Sequence, residues 1–340
     1  LSFFSPTVFT SEKNTLLADA VCYHPFDFPW SAWIFFRRLI IKYYIITRND
    51  IWPTHLFIAK LMGIHTVLIN ANLYRKYHYT SWLYRSFFKQ VLGQFNLLLT
   101  SSERLKNNLL NVVSANIIKI SGDSRLDRVL ERKAEKSIPL LPISYKESRT
   151  LIMGSIIPSD YPYIFNGLEK NYPNGQQSLE EKDHRIIIVP HEVDQSHLLV
   201  IEEKLDEFGF DWAYYSEKDK LQNSRVVIID TIGILADLYA FSDAAYVGAG
   251  FGAGVHSVIE PAVYENAVSF GPNFHIVDLA VSLLNNNLAS VIETAENFAQ
   301  FCTLLEDKEK LERIREDIKD YILNQPKAAE NIIQAIFNHD

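Results

Sequence analysis

The stretch Ala244-Ala245-Tyr246-Val247-Gly248-Ala249-Gly250-Phe251-Gly252-Ala253-Gly254-Val255-His256-Ser257-Val258-Ile259-Glu260-Pro261-Ala262 decides the fold. A short apolar run, Ala244–Gly248, reads as a buried strand. It empties into a loop with four glycines, and the apolar spacing predicts a helix from about Val255. Glycines at such a turn let backbone approach a phosphate, and a helix start offers free N–H groups and positive potential. Glu260 is then expected about a turn inside the helix, where a carboxylate can hold ribose hydroxyls. The alternative is a tight strand–helix turn with an ordinary first-turn acid. The four glycines together with His256 and Glu260 favour ligand binding.

Working outward, strand and helix alternate along nearly the whole chain. Apolar runs at Thr150–Met153, Arg185–Pro190, Val226–Asp230 and Ala267–Gly271 join Ala244–Gly248 in one series. An earlier series runs through Tyr43–Thr47, His65–Asn70, Phe95–Leu99 and Ile117–Ile120, with helices expected near Pro53–Met62, Ser81–Leu92 and Ser101–Asn111. A charged stretch carrying Pro139 and Pro142 separates the two. The expectation is an α/β chain of two doubly wound, Rossmann-like domains facing a cleft. Their expected bounds are 1–135 and 149–340, with a linker at 136–148.

The composition agrees. Of 340 residues, 48% are hydrophobic and 22% charged, enough for two cores and unlike a disordered chain. Two distant cysteines, Cys22 and Cys302, argue against a disulfide framework. The longest apolar stretch, Trp33–Thr47, is interrupted by Arg37, Arg38 and Lys42 and is too short to span a bilayer. Charge is uneven. Residues 1–150 hold 20 Lys+Arg against 10 Asp+Glu, and the remainder 13 against 31. The basic half is expected to face an anionic partner. Its cations are interleaved with large aromatics, as at Trp30, Trp33, Phe35, Phe36, Arg37 and Arg38, and again from Tyr74 to Lys89. That interleaving favours an anionic lipid surface over nucleic acid.

Further candidates lie at strand ends. His191, in Val189-Pro190-His191-Glu192, can bind or protonate a leaving phosphate, or serve as a structural hydrogen bonder. Gly154-Ser155 is a second possible phosphate or sugar contact. Asp50 precedes Trp52-Pro53 and is either functional or an N-cap. Asn70 and Asn72 follow the next strand. No Asp-x-Asp pair occurs, so no metal clamp and no cofactor are expected.

These residues, taken in order, resemble the family of transferases that attach 3-deoxy-manno-octulosonic acid (Kdo) to a lipid A precursor. The resemblance rests on Asp50-Ile51-Trp52-Pro53, Ser121-Gly122-Asp123-Ser124-Arg125-Leu126-Asp127-Arg128-Val129, Gly154-Ser155 and Pro190-His191-Glu192. It continues through Asp230-Thr231-x-Gly233-x-Leu235-x-x-Leu238-Tyr239, the glycine–His–Glu-Pro-Ala stretch and Gly271-Pro272-Asn273-Phe274. It implies a GT-B fold, a CMP-Kdo donor and a lipid A precursor as acceptor. The reaction would be metal-independent and inverting, at the cytoplasmic face of a bacterial inner membrane. By that resemblance Ser155, His191, Gly252, Gly254, His256, Ser257 and Glu260 would serve the donor, and Asp50, Asn70 and Asn72 the acceptor. The family's general base is a glutamate in a Gly-Glu motif that would lie ahead of Leu1, so the chain is expected to lack its first βα unit and any anchor before it. Ser257, Asn72 and Ile156 depart from the family's usual Asn, Arg and Thr, which bears on donor affinity and acceptor choice. A different nucleotide sugar, as in other GT-B transferases or epimerases, and a non-catalytic binding protein are the competing readings.

Overall fold

A computed structural model describes residues 1–48, 50–135 and 139–338. The chain divides into two compact units, Leu1–Asp123 with Lys327–Asp340, and Ser124–Pro326.

The first unit holds a two-stranded parallel pair, β1 (Ser2–Phe3) and β2 (Cys22–Tyr23), and a four-stranded parallel sheet. The strands of that sheet are β3 (Tyr43–Thr47), β4 (His65–Ile69), β5 (Leu97–Thr100) and β6 (Ile118–Ile120), paired in that order. Leu97, Leu98, Leu99 and Thr100 are all buried, as expected of a parallel strand covered on both faces. Ser102 caps the helix Glu103–Leu109 by accepting from the Leu105 N–H at 3.3 Å.

The second unit is built on seven parallel strands: β7 (Arg149–Ile156), β8 (His184–Pro190), β9 (Trp212–Tyr214), β10 (Val226–Ile228), β11 (Ala244–Val247), β12 (Ala267–Phe270) and β13 (Ala289–Val291). Their order is β13-β12-β11-β7-β8-β10-β9. The chain winds one way from β7 through β8, then crosses back to lay β11 on the other flank of β7. The reversal between β7 and β11 is the topological switch point, where open α/β sheets bind ligands at the carboxyl ends of their strands.

The division differs from the expected 1–135, 136–148 and 149–340. Part of that linker, 136–138, lies outside the described residues. The helix Ser124–Ala134 already belongs to the second unit: Leu126 is buried with Val258, Ile259 and Ala262, and Arg132 grips Asp237 with two hydrogen bonds of 3.1 and 2.6 Å. The last helix, Ala328–Phe337, returns to the first unit, burying Ala328, Ile332 and Ile336 against Val67, Leu97 and Leu99. Both helices are amphipathic; the apolar stripe of the first is covered by the helix Ile259–Val263, and that of the last by the sheet of the first unit.

Candidate functional site

The glycine-rich loop is shaped by backbone-on-backbone contact at the switch point. A Cβ on Gly248 would lie 2.3 Å from the Ser155 carbonyl oxygen, and one on Gly250 would lie 2.4 Å from the Gly271 nitrogen. Only glycine allows β7, β11 and β12 to deliver their loops this closely. Between the two, Ala249 is left-handed at φ 69°, and its N–H donates to Asp160 at 2.8 Å. Gly252 and Gly254 turn the chain: both N–H groups donate to the Ala249 carbonyl, at 3.0 and 3.3 Å. The expected helix from Val255 begins later. It runs only over Ile259–Val263, so Glu260 sits in its first turn. The Ile259 N–H, which a helix from Val255 would give to the Val255 carbonyl, goes instead to Ser257 Oγ at 3.3 Å, so 255–258 stay out of the helix.

A cavity of about 370 Å³ opens at this point. Ser155, Val247, His256, Ser257 and Glu260 line one part of it, and Gly233, Leu235, Ala236 and Tyr239 the rest. The structure therefore brings together four predicted donor residues, Ser155, His256, Ser257 and Glu260, within a single unit. Gly252 and Gly254 shape the loop and are not in the wall. His191 is exposed and joins through its neighbours: its Nδ1 lies 3.1 Å from Ser155 Oγ, and its ring stacks on His256 with centroids 4.4 Å apart. Ser155 adopts a left-handed φ of 58° beside a register shift between β7 and β8, an uncommon conformation for a side-chain-bearing residue.

Burial, and then the neighbouring His191, hold the His256 pKa below its ordinary 6.5, against a smaller opposing pull from Asp160. His256 Nε2 is buried and has no hydrogen-bond partner among the described residues. A buried polar atom in the wall of a cavity is a ready partner for a ligand oxygen.

Asp160 was missed by sequence reasoning. It is 0% exposed, and its carboxylate accepts from the Ile157 N–H at 2.9 Å, the Ala249 N–H at 2.8 Å and the Tyr246 hydroxyl at 3.0 Å. One side chain thus ties the ends of β7 and β11 to the glycine loop. Its sequence signal resembles that of Asp50, an acid just past a strand end and shortly before a proline. Tyr239 and Ala236 of the wall also went unselected, although Tyr239 lies in the Asp230–Tyr239 stretch already noted.

The acceptor-side candidates lie in the first unit. Asp50 and Asn70 follow β3 and β4 at their carboxyl ends; Asn70 is left-handed at φ 52°, and neither Asn70 nor Asn72 is free of partners. The N-cap alternative for Asp50 fails. The helix Pro53–Leu61 has Trp52 at its cap position, and its first N–H groups go to Asp27, which accepts from Thr54 at 3.3 Å and His55 at 3.0 Å. Asp50 remains exposed. Asp27 also accepts from His55 Nδ1 at 2.8 Å. Burial opposes ionisation of Asp27, but the hydrogen bonds from His55 and Thr54 outweigh it and hold its pKa low. Of the aromatic–basic runs, Phe36 is core, whereas Trp30, Trp33, Trp82 and Phe87 are exposed.

Among the described residues one group has metal-ligand spacing: Glu192, Asp194 and His197, with ligand atoms within 4.8 Å of one another. Asp194 already caps the helix Gln195–Glu207 and bonds the His197 ring.

A glycosyltransferase from Rickettsia africae superposes with a TM-score of 0.61, covering 100% of this chain and 90% of its own, at 14% identity. A UDP-N-acetylglucosamine 2-epimerase, so described provisionally, from Listeria monocytogenes gives 0.66 over 95% and 85%, at 10% identity. The fold is therefore of the GT-B type, the class shared by glycosyltransferases and sugar-nucleotide epimerases. Within that class, residues 1–128 match the family model described as 3-Deoxy-D-manno-octulosonic-acid transferase (kdotransferase). The chain is 27% identical over 308 residues to the 3-deoxy-D-manno-octulosonic acid transferase of Chlamydia muridarum, covering 85% of this chain and 66% of that protein. To the same-named protein of Rickettsia prowazekii it is 25% identical over 307 residues, covering 86% and 62%. The chain thus spans about two thirds or less of the length of these relatives.

Proposed function

We propose that the chain belongs to a glycosyltransferase that moves Kdo from CMP-Kdo to a lipid A precursor. The observation that carries this reading is the cavity at the β7/β11 switch point, with Ser155, His256, Ser257 and Glu260 in its wall. Glu260 is suited to the ribose hydroxyls of CMP. The Ser155 hydroxyl and the unpartnered His256 Nε2 are suited to its phosphate. In the reaction an acceptor hydroxyl loses its proton and attacks the anomeric carbon as the bond from that carbon to the CMP phosphate breaks, with inversion. Hydrogen bonds that strengthen on the leaving phosphate favour that transition state without a metal ion. Asp50, Asn70 and Asn72 would face the acceptor. The first unit would rest on the anionic cytoplasmic face of a bacterial inner membrane, with its exposed tryptophans and cations at the headgroups.

Calorimetric titration with CMP, and with UDP as control, tests the donor assignment. Saturable CMP binding that is lost in Glu260→Ala and unaffected by a chelator is expected. A clear preference for UDP would shift the reading to another nucleotide sugar, and absence of nucleotide binding would remove it.

A further inference from the structure

A second cavity, of about 440 Å³, lies in the first unit between the helix Trp82–Leu92 and the turn 110–117. Arg85 and Lys89, four residues apart on one helix face, both line it, together with Phe95, Leu110 and the backbone around Asn111. No acidic side chain is in the wall. Among the described residues neither cation has a carboxylate partner, and Arg85 is steadied by donating its Nε–H to the Asn111 carbonyl at 2.9 Å. Phe95 and Ile117 stand just ahead of β5 and β6, so the cavity is at the amino-terminal edge of the sheet. Asp50 and Asn70 are at the opposite, carboxyl-terminal edge. The cavity is therefore separate from the acceptor side.

We infer that this cavity binds the phosphate of an anionic phospholipid headgroup at a bilayer surface. Two unpaired cations converging on a hollow without acids fit a phosphate. The rim selects a lipid over a free anion. Trp82, three residues before Arg85 and on the same helix face, is 76% exposed. Water gains nothing from that apolar rim, whereas the interfacial zone of a bilayer accommodates tryptophan beside cations. This rests on the reading that the first unit faces a membrane, and it adds a defined headgroup site to that reading.

The test is co-sedimentation of the full chain with vesicles of phosphatidylcholine, with and without phosphatidylglycerol. Loss of two cations at an anionic surface is expected to weaken binding of Arg85→Gln/Lys89→Gln to the phosphatidylglycerol vesicles by roughly thirty-fold, and loss of Lys89 alone by about five-fold. CMP titration and the melting curve should not change. The pair Arg37→Gln/Arg38→Gln, outside the cavity, should weaken binding much less. Equal losses from both pairs would overturn the pocket in favour of diffuse charge. Wild-type binding without dependence on phosphatidylglycerol would also overturn it. Failure of the wild type to bind any vesicle would remove the membrane reading itself. Titration with inorganic phosphate that saturates the cavity in a protein indifferent to vesicles would assign it to the free anion and overturn the lipid.

Discussion

Replacing Asp160 tests whether one buried carboxylate holds the donor loop in shape. Asp160→Ala leaves four donors without their acceptor: the N–H groups of Ile157 and Ala249, the hydroxyl of Tyr246 and, at a longer 3.5 Å, the N–H of Phe251. Each stranded donor costs about 1–3 kcal/mol, and removing the carboxylate's own desolvation cost offsets part of the sum. A net loss of about 3–5 kcal/mol is expected. For a unit of this size that lowers the melting temperature by roughly 10 °C. Asp160→Asn keeps one oxygen but turns an amide donor toward donors, so it should fall about halfway between. The loop is also the cavity's support, since Ala249 follows Gly248 and the His256 N–H returns to the Gly248 carbonyl at 3.2 Å. CMP binding should therefore weaken in Asp160→Asn under conditions where the protein is still fully folded. The assay pairs thermal melts followed by circular dichroism with CMP titration at low temperature. If Asp160→Ala melts within a degree or two of the wild type and binds CMP unchanged, the carboxylate is not the tie described here.

Gly248→Ala should abolish CMP binding while secondary structure survives, because the added methyl meets the Ser155 carbonyl and Ile156 Cα, both backbone; undiminished binding would show that β7 and β11 can part at little cost. Acid should destabilise both units. Burial is the main cause that pushes His24 and His184 down from 6.5 to about 4, so between those values the unfolded chain takes up protons that the folded chain refuses. Stability is then fully present above about pH 6.5 and declines as the pH falls toward 4. Urea midpoints at pH 7.5 and pH 5 check this, and the drop should shrink in His24→Phe and His184→Phe. Under native conditions a maleimide should label Cys22 and spare Cys302, which is fully buried with its thiol pKa pushed up by that burial. Equal labelling of both before denaturant is added would contradict the packing of the second unit.

Much of this protein follows from local pattern alone. The run Tyr43–Thr47 matches β3 end for end, and the helix expected near Ser101–Asn111 forms at Glu103–Leu109 behind the Ser102 cap, because periodicity and capping act over a few neighbouring residues. Ser155, His256, Ser257 and Glu260, which share one cavity, could be singled out because each follows a strand end or the glycine loop, the places where an open parallel sheet presents side chains. Two three-residue strands, Trp212–Tyr214 and Ala289–Val291, were too short to show a period, whereas the apolar runs around Ile118–Ile120 and Val226–Ile228 marked those two. The tertiary structure alone decided what depends on distant partners. The helix expected from Val255 starts only at Ile259, whose N–H goes to Ser257 Oγ and not to the Val255 carbonyl, and the cap of Pro53–Leu61 came from Asp27 rather than the nearby Asp50. The final helix, amphipathic like many others, was claimed by the sheet of the first unit, where Val67, Leu97 and Leu99 offered an uncovered apolar face. Sequence by itself determined most of the strands and singled out the candidate residues that the structure gathers at one cavity. Which buried donor met which carboxylate, and which sheet covered which helix, was settled only when non-local burial chose among locally equivalent options.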